Sequence, residues 1–281
     1  MSMKSTEQFK RNLKNKIDGI SFSFGENWIK YLNSLTIEKV QIAKQSLKDY
    51  LGNIKGKTCV DIGSGSGLFS YSMYALGAKE VTSIDIDSFS VQCANYLKSK
   101  VKNPERWNIY QGSILDKKFI SQFGKYDIVY SWGVLHHTGN MWEAIKNAAS
   151  LVNDNGIFFL AIYNKTISSR FWLKVKKIYN FSPKIGKKFM NFLLFSAMYF
   201  ILPLLSLKNP LIRLKTYKKK RGMDPMTDVK DWLGGYPFEV ATFREIVTFL
   251  NKINQNFKLI KYNKVNPNVN ANNELVFKNV K

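Results

Sequence analysis

Apolar and polar positions fall into alternating blocks along most of the chain. Lys57-Thr-Cys-Val-Asp-Ile62 is a short apolar run that ends in a glycine cluster, Gly63-Ser-Gly-Ser-Gly67. Helical spacing follows from Leu68 to Leu76 and stops at Gly77. Val81–Asp85 predicts a second strand, and Ser88–Lys100 a helix with Ser88 as its N-cap. Trp107–Gln111, Tyr126–Ser131 and Gly156–Tyr163 predict three more strands, separated by helices such as Met141–Leu151. Ahead of them, Ile37, Val40, Ala43 and Leu47 fall at helical spacing. After Tyr163 the alternation breaks for about 75 residues. It returns with a helix, Thr242–Ile253, and two strands, Phe257–Asn263 and Glu274–Asn279. Pro267 and an Asn-rich run between those strands suit a tight connection, so the final pair reads as antiparallel. Strands alternating with helices in this way predict an α/β fold with a doubly wound, mainly parallel sheet of seven strands. The expected organisation is a helical cap over 1–55, a core over 56–164 and 240–281, and a helical insertion over 165–239.

Composition changes this picture little, and charge changes it more. The 281 residues are 45% hydrophobic and 14% aromatic, which excludes disordered, collagen-like and coiled-coil chains. Two cysteines, Cys59 and Cys93, make neither a disulfide framework nor a zinc site, which fits a reducing, cytoplasmic setting. Residues 1–15 are polar and carry no apolar core of a signal peptide. The net charge is +23, and it is concentrated. From Lys165 to Arg221 there are fifteen Lys or Arg residues and no Asp or Glu. Such a stretch points to a polyanionic partner: nucleic acid, an anionic membrane or a phosphorylated substrate. Only six of the 43 basic residues are Arg, the residue favoured for reading bases, which weighs against sequence-specific nucleic-acid recognition.

In open α/β sheets, ligands bind beyond the carboxyl ends of the strands. The first strand-to-helix turn here is Val60-Asp-Ile-Gly-Ser-Gly-Ser-Gly67. Its glycines at 63, 65 and 67 depart from the dinucleotide pattern, which needs glycine where Leu68 stands. Asp61 beside the turn would repel a pyrophosphate and attract an ammonium. Asp85, ending the second strand, suits both hydroxyls of a ribose. An ammonium, a ribose and no phosphate describe S-adenosylmethionine. The plainer reading is that Asp61 caps the following helix and the glycines only turn the chain.

Asp61-Ile-Gly-Ser-Gly-Ser-Gly67, the Asp85 strand end and the late antiparallel strand resemble class I S-adenosylmethionine-dependent methyltransferases. Phe24-Gly-Glu-Asn-Trp28, Ser131-Trp-Gly-Val-Leu-His-His-Thr-Gly139 and Asp231-Trp-Leu-Gly-Gly-Tyr-Pro-Phe-Glu239 resemble a bacterial subgroup similar to ubiquinone-biosynthesis methylases. The resemblance implies a Rossmann-like sheet with its last strand antiparallel. It implies that Asp61, Gly63, Ser64, Gly65 and Gly67 line the methionine end, that Asp85 holds the ribose and that Ile86 packs on the adenine. Ser113 and Ile114, in Gly112-Ser-Ile-Leu-Asp116, would border the adenine. Ser131 and Trp132 would face the sulfonium, with Phe22 and Trp28 closing the site. The product would be S-adenosylhomocysteine.

Methyl transfer requires the acceptor in line with the methyl group and, for a hydroxyl acceptor, removal of a proton. The only histidines, His136 and His137, lie just beyond the fourth strand and suit a general base; either could instead fill a polar gap. Tyr163 and Asn164, ending the fifth strand, point to the acceptor side. Tyr236 and Glu239 lie where the chain rejoins the core, either as a hinge with substrate contacts or as a plain turn. Phe189–Leu205 is nearly continuously apolar and flanked by lysines. It reads as a buried helix, an interfacial membrane contact or, less simply at 17 residues, a span. These features favour O-methylation of a small-molecule, glycan or lipid-linked acceptor, peripheral to the inner face of a membrane. The alternative is an RNA or DNA methyltransferase. Against it, the fourth strand leads into Ser131-Trp-Gly-Val134, and neither cysteine stands where a cytosine nucleophile would.

Overall fold

The computed structural model describes residues 36–201, 203, 209, 225–263 and 271–281. Phe22, Trp28, Pro267 and the Lys215–Arg221 run lie outside these residues. Seven strands form one sheet: β1 (Thr58–Ile62), β2 (Glu80–Asp85), β3 (Trp107–Gln111), β4 (Tyr126–Trp132), β5 (Val152–Tyr163), β6 (Phe257–Tyr262) and β7 (Asn272–Asn279). Their order is β3-β2-β1-β4-β5-β7-β6, with β7 antiparallel to both of its neighbours. The winding reverses between β1 and β4, so the crevice at their carboxyl ends is the natural place for a ligand.

The strands read as nearly continuous apolar runs because helices cover both faces of the sheet. On one face, Val60, Ile62, Val129, Phe158, Leu160 and Phe277 pack against α5 (Met141–Ser150) and α9 (Phe243–Ile253). On the other, Cys59, Val81, Tyr130, Phe159 and Val276 pack against α1 (Ile37–Leu51), α2 (Leu68–Ala75) and α3 (Ser88–Lys98). Helix α1 thus forms part of the sandwich, because Leu47 and Leu51 are buried against it; residues 37–51 are a layer of the core rather than a separate cap. A short α4 (Lys117–Ile120) follows β3.

Helix starts follow local chemistry. Asp87, not Ser88, caps α3: its extended backbone stands just outside the helix and its carboxylate accepts the Phe89 N–H at 2.8 Å. Thr242 and Glu245 close a reciprocal capping box on α9.

The insertion after β5 contains α6 (Ser169–Phe181), α7 (Lys184–Ser196), a π-helical turn at Ala197–Ile201 and α8 (Pro225–Gly234). It has its own small core, Tyr179, Tyr199, Val229 and Leu233, ringed by Trp172, Met190 and Phe195. Among the described residues, no helix is long and apolar enough to cross a membrane. Most of the large apolar side chains on α7 face outward: Ile185 is 83% exposed, Phe189 61% and Phe192 62%.

Candidate active site

The turn after β1 is built from backbone. Gly63, Gly65 and Gly67 all take left-handed φ values, 73°, 54° and 77°, which glycine adopts without strain. The N–H groups of Gly63 and Ser64 donate to the Ile84 carbonyl at 2.7 and 3.2 Å, tying the turn to β2. A Cβ on Gly63 would lie 2.3 Å from Val134, so the turn rests directly on the loop that leads to the histidines. Ser64 is buried and its hydroxyl has no hydrogen-bond partner among the described residues.

Asp85 organises the rim of this turn. One carboxylate oxygen accepts the Gly65 N–H at 2.8 Å and the other the Asp87 N–H at 2.9 Å. Each oxygen keeps a further lone pair. Burial pushes this carboxyl up to about 6, against the pull of those N–H groups. Beside it Ile86 is 68% exposed, an open apolar shelf. Two stacked features, a polar clasp and an apolar shelf at a switch point, suit a nucleoside.

Asp61 behaves differently from its neighbour. It is 2% exposed and turned below the turn. The Trp107 indole donates to Ser83 (2.8 Å), Ser83 to Ser70 (2.7 Å), and Ser70 to Asp61 (2.6 Å). Burial pushes its carboxyl up to about 7, opposed by Ser70 and assisted by the charge of Asp85. Asp61 therefore braces the start of α2 from beneath, in place of standing open at the rim.

The remaining expected contacts divide. Ser113 accepts the Leu115 N–H at 3.1 Å within the loop after β3, while the Ile114 side chain is buried in the core. Ser131 is buried and donates to the Ile62 carbonyl at 3.0 Å, which fastens β4 to β1. Trp132 is partly open, and its indole donates to Glu274 of β7 at 2.9 Å. Tyr50 of α1 donates to the other oxygen of Glu274. Sequence reading missed Glu274 and Tyr50, whose contact spans 224 positions and leaves no local signal.

Beyond β4 the chain forms a short 3-10 turn, Leu135–His137, that brings both histidines against Tyr163. Ring centroids lie 4.0 Å apart for His136–Tyr163 and 4.3 Å for His136–His137. His136 is fully buried; its Nδ1 accepts the Tyr163 N–H at a long 3.4 Å, so the proton belongs on Nε2. That Nε2 has no hydrogen-bond partner among the described residues. His137 is the mirror case. Its Nδ1 lies 2.6 Å from the Pro237 carbonyl, which can only accept, so Nδ1 carries the proton and Nε2 the lone pair. Burial holds His136 well below the usual imidazole range and lowers His137 to about 4.

Asn164 is buried where β5 meets residue 241, its side chain held by Asn273 at 3.4 Å. Glu239 is engaged elsewhere than at an acceptor: both its oxygens take the Met141 N–H, at 3.2 and 3.0 Å, so it caps α5. Tyr236 precedes Pro237 through a cis peptide. Sequence reading also passed over Lys176 of α6. It is fully buried, donates to the Trp232 carbonyl, and its Nζ sits 4.1 Å from the Trp232 ring centroid and 4.9 Å from that of Phe238. Nothing in a lysine-rich run distinguishes it from its solvated neighbours.

The family described as the methyltransferase domain matches residues 37–193, more than half of the chain. The chain belongs to that family. The match begins with α1 and reaches into α7, so it takes in more of the N-terminal helix and insertion than the sequence motifs alone. A ubiquinone biosynthesis O-methyltransferase of Pelagibacter ubique is 32% identical over 142 residues, 50% of this chain and 54% of that protein. A ribosomal protein L11 methyltransferase of Macrococcus caseolyticus is 31% identical over 103 residues, 37% of this chain and 31% of that protein. The chain thus spans about half the length of the ubiquinone-biosynthesis relatives it matches. Among solved structures, magnesium protoporphyrin IX methyltransferase from Synechocystis with bound S-adenosylhomocysteine has a TM-score of 0.51 at 18% identity, covering 97% of this chain and 94% of that one. The fold of this methyltransferase domain is therefore the Rossmann-like one that the sequence predicts.

Proposed function

We propose that this methyltransferase domain uses S-adenosylmethionine to methylate an oxygen of a small-molecule, glycan or lipid-linked acceptor. The carrying observation is the clasp at the carboxyl end of β2. Asp85 is pinned by Gly65 and Asp87 with lone pairs to spare, beside exposed Ile86 and the unpartnered Ser64 hydroxyl. These groups fit a ribose, an adenine face and a polar tail. S-adenosylmethionine supplies, when bound, an electrophilic methyl group on a sulfonium.

The chain's own groups then have distinct tasks. Asp85 accepts the ribose hydroxyls, Ile86 packs on the base, and the 63–67 turn with Asp61 beneath it shapes the methionine end. His137 Nε2, which carries the lone pair, takes the acceptor proton; His136 Nε2–H donates to the acceptor. Tyr163 walls both. The identity of the relatives as O-methyltransferases supports an oxygen acceptor. The outward phenylalanines of α7, set among lysines, support an amphipathic acceptor at an anionic membrane on the cytoplasmic side.

Calorimetry of Asp85→Ala tests the clasp: S-adenosylmethionine binding should weaken by about 1–3 kcal/mol, the cost of unpaired buried hydroxyls. Unchanged affinity would remove Asp85 from the site. Methyl-labelled S-adenosylmethionine added with protein to a cell lysate tests the acceptor class. Label in lipid, glycan or soluble pools supports the proposal. Nuclease-sensitive label favours the second reading, in which the acid-free 165–221 stretch binds nucleic acid.

A further inference from the structure

Of the lysines on α6 and α7, Lys176 alone is fully buried, and it lies on the side of the insertion that meets the histidines. An ammonium has three N–H donors and no acceptor. One donor goes to the Trp232 carbonyl, while the faces of Trp232 and Phe238 offer the charge only weak cation–π contact. No carboxylate pairs with it among the described residues. Asp228 and Asp231 on the neighbouring α8 do not offset its burial, and Glu239 is spent on capping α5. The amine is nevertheless close enough for its charge to depress both histidines. His136 brings a second buried donor, Nε2–H, that has no hydrogen-bond partner among the described residues. The two donors therefore flank one ring cluster, Tyr163, Trp232 and Phe238, His136 from the core and Lys176 from the insertion. Buried donors without acceptors are costly, and the group that fits them is an oxyanion.

We propose that Lys176 and His136 Nε2–H form a binding site for an anionic group of the acceptor, a carboxylate or a phosphate, at the seam between insertion and core. This rests on the reading above that the acceptor lies at the β4–β5 edge, and it adds the class of group by which the acceptor is held. It also gives the insertion a direct part in recognition, because Lys176 reaches the site only when α6 is docked. A lysine that served only to fasten α8 through the Trp232 carbonyl would leave no affinity for anions.

The chain has only two histidines, so its imidazole signals in a ¹H–¹⁵N spectrum can be assigned with one variant, His137→Asn. Sulfate, standing for phosphate, and acetate, standing for carboxylate, are titrated into the wild-type protein at constant ionic strength. A saturable shift of the His136 signals is expected. It should weaken at least tenfold in Lys176→Met, and the better of the two anions names the acceptor group. No saturable shift with either anion, or the same shift in Lys176→Met, overturns the proposal.

A wild-type measurement guards against a variant that fails to fold. Burial lowers Lys176 to about 7, so at pH 8 most of it is neutral in the free protein. An anion must raise that value, and binding should take up close to one proton, read by calorimetry in buffers of different ionisation heat. Anion binding without proton uptake overturns the role of Lys176. S-adenosylhomocysteine binding, followed in parallel, separates this outcome from failure of the methyl-transfer reading.

Discussion

The core and the insertion solve the problem of burial in opposite ways. In the core, Phe158, Phe159 and Phe277 are fully buried between two helical layers, and lysines face water. In the insertion, Phe171, Ile185, Phe189 and Phe192 lie open while Lys176 is enclosed. A sheet covered on both faces hides most of the large apolar side chains that its strands carry. Among the described residues the insertion's own core gathers only four buried hydrophobic side chains, Tyr179, Tyr199, Val229 and Leu233, and cannot do so. What the insertion loses in self-sufficiency it gains as surface: one side lies against the histidines, the other is an apolar face studded with cations. The family match itself ends within α7, where this division becomes sharpest.

The division can be broken or sharpened by substitution. The largest effect belongs to the core. Phe158→Ala should destabilise the protein by about 3–5 kcal/mol in urea denaturation, through lost transfer energy and a cavity between β5 and α9. A loss below about 1 kcal/mol would mean that the core is no better packed than the insertion.

An intermediate effect belongs to the seam. The folded-state value for His137 is depressed to about 4 against about 6.5 when unfolded. As pH falls, the unfolded chain takes the proton first, so stability is complete above pH 6.5 and declines between there and pH 4. Between pH 7 and pH 4 the wild type should lose about 3 kcal/mol more than His137→Asn. Parallel stability curves would place the imidazole in water and open the seam. The smallest effect on stability belongs to the outward face. Phe189→Ser with Phe192→Ser should change it by less than about 0.5 kcal/mol. The same pair should lower binding to anionic vesicles by tenfold or more; unchanged vesicle binding would count against a membrane role for that face.

These contrasts also explain what was legible in the sequence. Strands β1–β4 are apolar runs bounded by turn residues, and each was found within a residue or two of its predicted ends. β5 begins four residues earlier than predicted, because Asn153-Asp-Asn-Gly156 has the composition of a turn yet continues the strand across a register shift beside Tyr126. The nucleotide-side turn was legible because left-handed φ values demand glycine. Its electrostatics were not: Asp61 and Asp85 both read in sequence as ligand contacts, and only the Ser70–Ser83–Trp107 relay separates a brace from a clasp. The insertion was least legible. As sequence its apolar run fits burial, a membrane contact or, less simply, a span, and one lysine in a run of lysines gives no sign of being enclosed.

The antiparallel pairing of β7 with β5 also sets a schedule. Residues 157–163 find their partner on β7 only after the insertion, α9 and β6 have been made. At about 5–20 residues per second, that interval is on the order of ten seconds on the ribosome. Throughout it, Phe158, Phe159, Leu160 and Ile162 stand on a strand with one unpaired edge, a template for mispairing with other chains. The yield of this protein in a living cell is therefore governed by how well that half-built sheet is sheltered, as much as by the stability of the finished one.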